Sequence, residues 1–483
     1  MRFTVVQRIL GMLLMVFSLT MLPPALMSTM VGDDATAPFL WAFALTLSSG
    51  LLLWLPVRRH HQELRTRDGF FVVAMFWIVL SLAGAIPFYL AESPSMDIAD
   101  AVFESTSGLT TTGATVIVGI DELPLSIRFY RQQLHWLGGM GIIVLAVAIL
   151  PMLGIGGMQL YRAEMPGPIK DAKLTPRIAE TAKALWYIYL GLTVACASAY
   201  WLAGMTPFDA IAHAFSTVAT GGFSTHDASF AYFDSALIEM VAVIFMFAGG
   251  VNFALHFYAW RRRSLGSYFV DAEFRFYGSV MLITMGIVVL VLIGTRFYDH
   301  SPTALSHGIF QVASFVTTTG FTTTAFYEWP LFLPLLLLFL GMVGACASST
   351  SGGIKMIRFL LLFKQGQREI MRLIHPQAQI LVKLGTKQVS ERVIDSVWGF
   401  FATYMAVFAA MLLALIAMGL DQVTAFTALA ASISNLGPGL GAVAAHFGGL
   451  SAPAKWLLSF AMVMGRLEIF TLLVLFTPAF WRR

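Results

Sequence analysis

Four short runs of threonine, asparagine and glycine hold the residues of this 483-residue chain best suited to handling an ion. They are Thr110-Thr111-Thr112-Gly113-Ala114-Thr115, Thr220-Gly221-Gly222-Phe223-Ser224, Thr318-Thr319-Gly320-Phe321-Thr322 and, more loosely, Asn435-Leu436-Gly437-Pro438-Gly439. Their shared asset is backbone. Glycine takes φ > 0 freely, so a strand through it can turn successive carbonyl oxygens toward one axis. Four such strands around that axis would replace a cation's hydration shell, which is the architecture of a selectivity filter.

The elements that must position these strands repeat with them. With Gly113, Gly222, Gly320 and Gly437 in register, Ser107, Ser216 and Ser314 each fall six residues earlier, and Ala431 takes that place in the fourth copy. A helix-start signal precedes each copy: Ser93-Pro94, Thr206-Pro207, Ser301-Pro302, and Asp421 alone in the fourth. A capping side chain followed by proline is how a helix begins. From cap to glycine there is room for about three helical turns, roughly 15 to 18 Å, or half of a ~30 Å hydrocarbon core. Such segments enter a membrane and stop. The backbone beyond them must line a watery cavity, because lipid cannot satisfy it, and the negative ends of the half-helices would face the same cation. Small-residue contacts between membrane helices are the plainer reading of Thr and Gly. Four registered, capped copies weigh against it.

Composition agrees. The chain is 58% hydrophobic and 12% charged, with mean hydropathy +0.77, so it is a polytopic membrane protein. Cys196 and Cys346, the two cysteines, sit in apolar runs and indicate neither a disulfide framework nor a thiolate metal site. No His or carboxylate cluster has metal-ligand spacing, and no Gly-x-x-x-x-Gly-Lys run exists to bind nucleotide. Gly439-Leu440-Gly441 with Ala444 imitates a dinucleotide fingerprint but lies inside the fourth filter copy and follows no strand.

The expected fold is all-α: two leading helices, then four pseudo-repeated units of helix, re-entrant pore loop and helix around one central pore. Residues 1–68 hold the leading helices, about Ile9 to Met30 and Phe39 to Pro56; the first is too long for a signal peptide and is read as retained. The pore units are 69–181, 182–272, 273–392 and 393–483. Of the 30 lysines and arginines, Arg128, Arg131, Arg296 and Lys455 fall on the filter side and Arg466 falls mid-helix. All the others lie on the opposite side, which is therefore cytoplasmic and holds both termini.

Two features break the repeat. In the third unit, residues 344–353 (Gly344-Ala345-Cys346-Ala347-Ser348-Ser349-Thr350-Ser351-Gly352-Gly353) replace apolar helix with small polar residues. Such a break below a filter is a candidate gate, the alternative being a close-packed helix contact. Arg466, midway along the expected last helix, costs about 2.5 to 3.5 kcal/mol there and must face the pore or a partner. Glu468, two residues on, lies on another helix face and is not the obvious partner. A positive charge below a cation filter would slow flow; a structural ion pair is the alternative. The basic stretch Lys364 to Lys387 and the link Tyr161 to Arg177 read as stop-transfer anchors, with docking of a cytoplasmic partner as second reading.

At these residues the chain resembles the Trk/Ktr/HKT superfamily of potassium transporters, over essentially its whole length. The likeness is carried by Thr110 to Gly119, Gly138-Gly139-Met140-Gly141, Pro176 to Trp186, and Gly465-Arg466-Leu467-Glu468-Ile469-Phe470. The resemblance implies that potassium, the transported ion, is held by Thr111-Thr112-Gly113, Thr220-Gly221-Gly222, Thr318-Thr319-Gly320 and Asn435-Leu436-Gly437, with no organic cofactor. It implies gating by Ser348, Ser349, Thr350, Ser351, Gly352, Gly353 and Arg466, a homodimer with one pore per protomer, and a cytoplasmic nucleotide-binding regulatory subunit (TrkA-like) in the bacterial inner membrane. Glycine at the first filter position goes with potassium in this superfamily and serine with sodium, so Gly113 favours potassium. The gate loops of relatives are richer in glycine, whereas Ala345, Ser348 and Ser351 stand here. Filters with one shared glycine and no aromatic-glycine tail are expected to discriminate moderately against sodium.

Two other functions compete. A symporter coupling potassium to protons or sodium would want titratable groups within the spans, and only Glu104, Glu468 and His256 offer themselves. A membrane enzyme would need a metal or nucleophile constellation, and none is present.

Overall fold

Long runs of Leu, Phe, Ala and Val can bury themselves in lipid only if their backbone is satisfied internally, and the chain answers with helices. The computed structural model describes residues 3–59, 66–141, 178–385 and 387–482. Helix α1 (Phe3–Ser18) passes through one 3₁₀ turn into α2 (Leu22–Val31), and α3 (Thr36–Trp54) returns beside it. Gly11 and Gly50 let the two pack closely: a Cβ on either would lie 2.8 Å from the other's carbonyl oxygen. At the turn between α2 and α3, the Asp33 carboxylate accepts from the Ser126 amide at 2.8 Å, so it caps α6 (Leu125–Gly139) and fastens the leading pair to the next unit.

The remainder repeats one plan: a long helix, a short helix that ends in an extended strand, and a second helix, which is broken in the second, third and fourth units. The long helices are α4 (Thr66–Leu90), α7 (Ile178–Leu202), α11 (Ala272–Gly294) and α15 (Glu391–Ala417). The short ones are α5 (Ile98–Leu109), α8 (Pro207–Val218), α12 (Ser301–Val316) and α16 (Gln422–Ile433). Three have 12 residues and α12 has 16, so about 18 to 24 Å of helix enters a ~30 Å core and stops. Their side chains are buried on nearly every face, as an all-round apolar helix requires.

The second helices are α6, α9 (Ala236–Gly249) with α10 (Phe253–Arg262), α13 (Leu333–Val343) with α14 (Met356–Ile374), and α17 (Ala452–Arg466) with α18 (Phe470–Leu473). Among the described residues six helices are long and apolar enough to span a membrane, or eight counting two bent pairs: α9–α10, at 95°, and α17 with the helical stretch Phe470–Phe476, at 108°. A two-residue antiparallel pair, β1 (Lys383–Leu384) and β2 (Lys387–Gln388), follows α14. The buried apolar residues form separate clusters around the repeats, one joining the leading helices to the first and fourth units, and leave the centre to Thr, Ser and Gly.

Several expectations need correction. Ser93-Pro94 does not start α5; Asp97 does, accepting from the Asp100 amide at 2.8 Å. Ser301 is the first residue of α12 rather than its cap, which is His300 without a side-chain bond. Thr206 and Asp421 cap α8 and α16 as expected. Interruption of the second helix is not peculiar to the third unit, since the second and fourth bend sharply too. What is special there is the length of the break, 344–355. Residues 142–177 of the first unit, with the link Tyr161 to Arg177, lie outside the described residues.

Gly50→Val places a branched side chain against α1. We expect a lower thermal midpoint in detergent, equivalent to about 1–3 kcal/mol of overpacking, while Gly191→Ala, which meets open space, leaves it unchanged.

Candidate functional site

Each short helix ends in the same way. The amides of Thr112, Gly221, Thr319 and Leu436 donate to the carbonyls of Ser107, Ser216, Ser314 and Ala431, all at 2.8 Å. One residue earlier, the amides of Thr111, Thr220, Thr318 and Asn435 donate to Gly108, Thr217, Phe315 and Ser432 at 2.9–3.1 Å. This paired pattern is a Schellman end, with the last residue left-handed: φ is 54°, 51°, 55° and 51° at Thr111, Thr220, Thr318 and Asn435. Two residues on, Gly113, Gly222, Gly320 and Gly437 are again at positive φ, 80° to 98°. The serine register therefore reflects the carbonyl that closes each helix. The left-handed threonines were not anticipated, because a β-branched residue disfavours φ > 0.

The four strands form a closed ring. A Cβ on Gly113 would fall on the carbonyl oxygen of Gly221, one on Gly222 on that of Thr319, one on Gly320 on that of Leu436, and one on Gly437 on that of Thr112. Each glycine packs against the carbonyl of the next copy, and the fourth returns to the first. All twelve residues from Thr111 to Gly437 expected at the site are thus brought together. Thr110 and Thr112 share a hydroxyl bond at 2.8 Å and Thr317 and Thr319 one at 2.7 Å, while Asn435 Nδ2 donates to Thr112 Oγ1 at 3.0 Å.

Buried groups brace the ring from outside. Glu104 on α5 and Arg131 on α6 pair at 2.8 Å with almost no exposure. Glu104 also accepts from Thr115 Oγ1 and the Val116 amide, and Arg131 donates to the Ser224 carbonyl at 3.0 Å and lies over the Phe223 ring. The pair joins strand one to strand two. His135 stacks on Phe223 and bonds Ser216 Oγ at 2.8 Å. The sequence showed Glu104 only as a possible relay group and Arg131 only as a topology marker; two opposite charges inside apolar segments were the readable sign of a pair. Farther out, Asp227 accepts from the amides of Gly119 and Asp121, and His226 bridges Asp121 at 2.5 Å and Asp209 at 3.4 Å while stacked on Tyr232. This latch ties the outer loops of the first two units.

Residues 344–353 pass against the inner ends of three short helices. Thr350 Oγ1 donates to the carbonyls of Val218 and Gly249 and accepts from Thr220 Oγ1. Ser351 Oγ meets Thr318 Oγ1 at 3.1 Å, the Gly352 amide donates to Thr318 Oγ1 at 2.7 Å, and the Gly353 amide donates to the Ser434 carbonyl at 2.9 Å. Ser348 and Ser349 bond elsewhere: the Ser348 carbonyl accepts from the Phe253 amide and Ser349 Oγ donates to the Cys346 carbonyl. Arg466 is not mid-helix but the last residue of α17, at its bend. A cation there complements the helix's negative end. It donates to the Thr350 carbonyl at 2.9 Å and the Gly138 carbonyl at 2.8 Å, joining the loop to the first unit. Glu468 pairs with Arg358.

Residues 36–483 match the model of a family described as TrkH, cation transport protein. The chain is 56% identical over 484 residues to the Trk system potassium uptake protein TrkH of Vibrio parahaemolyticus, with 100% of each chain covered. It is 54% identical to TrkH of Escherichia coli K12, again over 100% of both, and 42% identical to TrkG of the same organism, over 99% of this chain and 98% of that one. The crystal structure of the potassium transporter TrkH from Vibrio parahaemolyticus superposes with TM-score 0.91 at 54% identity, covering 100% of both chains.

The outer latch carries a pH signature. Partial burial opposes charge on His226, but the Asp209 and Asp121 carboxylates outweigh it and raise its pKa above the ordinary 6.5. The latch is therefore at full strength below 6.5 and weakens as pH rises through the raised value. We expect the thermal midpoint in detergent to fall as pH rises through that interval, and His226→Gln to abolish this part of the pH dependence.

Proposed function

The chain belongs to the TrkH family of cation transport proteins, and from that premise we propose that it takes up potassium through a channel-like pore whose filter is the ring of four strands. It is a multi-pass membrane protein that transports rather than catalyses. The observation that carries the reading is the closed ring, in which the carbonyls of Thr112, Gly221, Thr319 and Leu436 each lie against a glycine of the neighbouring copy. Carbonyl oxygens at that packing can replace water around a monovalent cation, and the four short helices add their negative ends. Thr111, Thr220, Thr318, Asn435 and the four glycines complete the potassium-binding set.

In this reading the loop from Ser348 to Gly353 is the gate and Arg466 its catch. Nη1 and Nη2 of Arg466 each donate to a backbone carbonyl, one on the loop and one on α6, so loop movement must break or carry that contact. Channel-like flow is favoured over coupled symport because the relay candidates are committed elsewhere: Glu104 to Arg131, Glu468 to Arg358, and His256 to Tyr268 Oη and the Ala248 carbonyl. The lysine and arginine bias supports cytoplasmic termini in an inner membrane. Family resemblance supports a homodimer and a nucleotide-binding regulatory subunit. Helix α14, which starts three residues after Gly353 and carries Arg368 and Arg372 paired with Glu369 and Glu391, is a direct lever on the loop for such a subunit.

The test is rubidium influx in potassium-uptake-deficient bacteria against competing sodium; equal competition by the two ions would remove the reading. Gly113→Ser would push a side chain into the Gly221 carbonyl and displace one ligand. We expect the preference for potassium over sodium to drop roughly tenfold, about 1.4 kcal/mol of discrimination, and an unchanged ratio counts against the ring as filter. Arg466→Ala removes two charge-assisted bonds worth about 1.5–3 kcal/mol each. Single-channel open probability should rise several-fold, whereas an unaltered record would leave Arg466 a purely structural role.

A further inference from the structure

One buried acid has no part in the filter or its braces. Glu273 lies in the first turn of α11, which Asp271 caps through the Phe274 amide at 2.8 Å. Its side chain is 8% exposed and turned toward the break between α13 and α14. There Glu273 Oε1 accepts from the Ala347 amide at 2.7 Å and the Ile357 amide at 3.2 Å. These two amides belong to the outgoing and returning stems of the intramembrane loop.

The stems are zipped to one another. The amides of Ile354, Lys355 and Met356 donate to the carbonyls of Met342, Val343 and Ala345 at 2.8–2.9 Å. Residues 348–353 therefore form a loop whose two stems are tied together. The returning stem also needs help: Lys355 stands at the N-cap of α14 with φ 85° and makes no capping side-chain bond. The orphan amides and positive end of a helix attract an acid, and Glu273 supplies one from another helix. On the filter side the loop is held by neutral hydroxyl, amide and carbonyl bonds and by the Arg466 bond to the Thr350 carbonyl, and a bond to a carboxylate is about twice as strong as the neutral ones.

We infer that Glu273 is the positioning residue that keeps the loop seated under the ring, clasping both stems with one carboxylate oxygen; the inference rests on reading 344–353 as the gate. Without that carboxylate the part-buried Ala347 amide and the buried Ile357 amide lose their acceptor, and α14 begins uncapped. The seated state then loses stability relative to any state in which the stems reach water.

The chain carries its own reporters. Cys346 adjoins Ala347, Cys196 lies on α7, and both thiols are fully buried. Cys196→Ser leaves a single thiol on the loop, and Cys346→Ser leaves one remote from it. In native membranes treated with N-ethylmaleimide, Glu273→Leu should speed modification of Cys346 about tenfold. Glu273→Gln, whose amide oxygen still accepts, should speed it less, and Cys196 should stay protected in both. Rubidium influx should rise in parallel at equal membrane abundance, with sodium competition unchanged because the ring is untouched. Unchanged Cys346 modification overturns the clasp, and so does equal acceleration at Cys196, which would mark a general loosening. Faster Cys346 modification with unchanged influx upholds the clasp and sinks the gate. If the leucine variant fails to accumulate, the glutamine variant decides by the same thiol readout.

Discussion

The rest of the structure depends on one backbone constraint: four short helices must each end in a left-handed residue that turns the chain toward a common axis. Threonine resists that conformation, and residues held in such sparsely populated regions cost on the order of 1–3 kcal/mol each. Three of the four positions are nevertheless Thr111, Thr220 and Thr318. The cost is tolerable only because the surroundings leave no alternative. Each strand is closed behind by its own helix carbonyl and in front by the neighbouring strand's carbonyl, so no copy can relax without moving the next.

That mutual dependence explains where the buried charge lies. Glu104 and Arg131 could have been replaced by apolar residues at little thermodynamic loss, since taking two ions out of water offsets much of their attraction. What the pair adds is placement: its atoms reach Thr115, Val116 and Ser224, all on strands leaving the ring. The Asp227 and His226 contacts repeat the idea one layer out, and on the fourth side the Phe447 amide donates to the Thr115 carbonyl at 2.7 Å. Polar groups thus fix the strands, while the apolar clusters hold the helices to which those strands are attached.

Much of this was legible in the sequence, for identifiable reasons. Glycine permits positive φ whatever surrounds it, so the recurrence of Gly113, Gly222, Gly320 and Gly437 announced their register. Thr206 and Asp421 announced their helices because a cap acts within three residues. Ser93-Pro94 misled because Asp97, a better acceptor, stood closer to the apolar run. The left-handed threonines were illegible because local propensity points the other way and tertiary packing overrules it. Bends at Gly249-Gly250 and Glu468-Ile469 were hidden by apolar residues on both sides, which read as one span. Arg358 and Glu468, 110 residues apart, could be paired only by the fold.

On the proposed reading, gate and filter cannot be independent parts. Thr220 and Thr318, which hold the strained turns of the ring, also bond the loop through their hydroxyls, and the Ser434 carbonyl beneath Asn435 accepts from Gly353. When the loop leaves, those groups must find water or a passing cation instead. Each neutral bond exchanged in this way has a net worth of only about 0.5–1.5 kcal/mol, so seated and withdrawn states can lie within a few kcal/mol of each other. A ligand that binds one state about 10⁴-fold better than the other moves a 1:99 equilibrium to 99:1. On the same proposed reading, a regulatory subunit pulling on α14 would supply that difference without touching the ring. A withdrawn loop also bares the hydroxyls of Thr220 and Thr318 to the cavity, where they become extra oxygen ligands at the inner end of the pore. Opening therefore changes the chemistry the ion meets as well as the space it has.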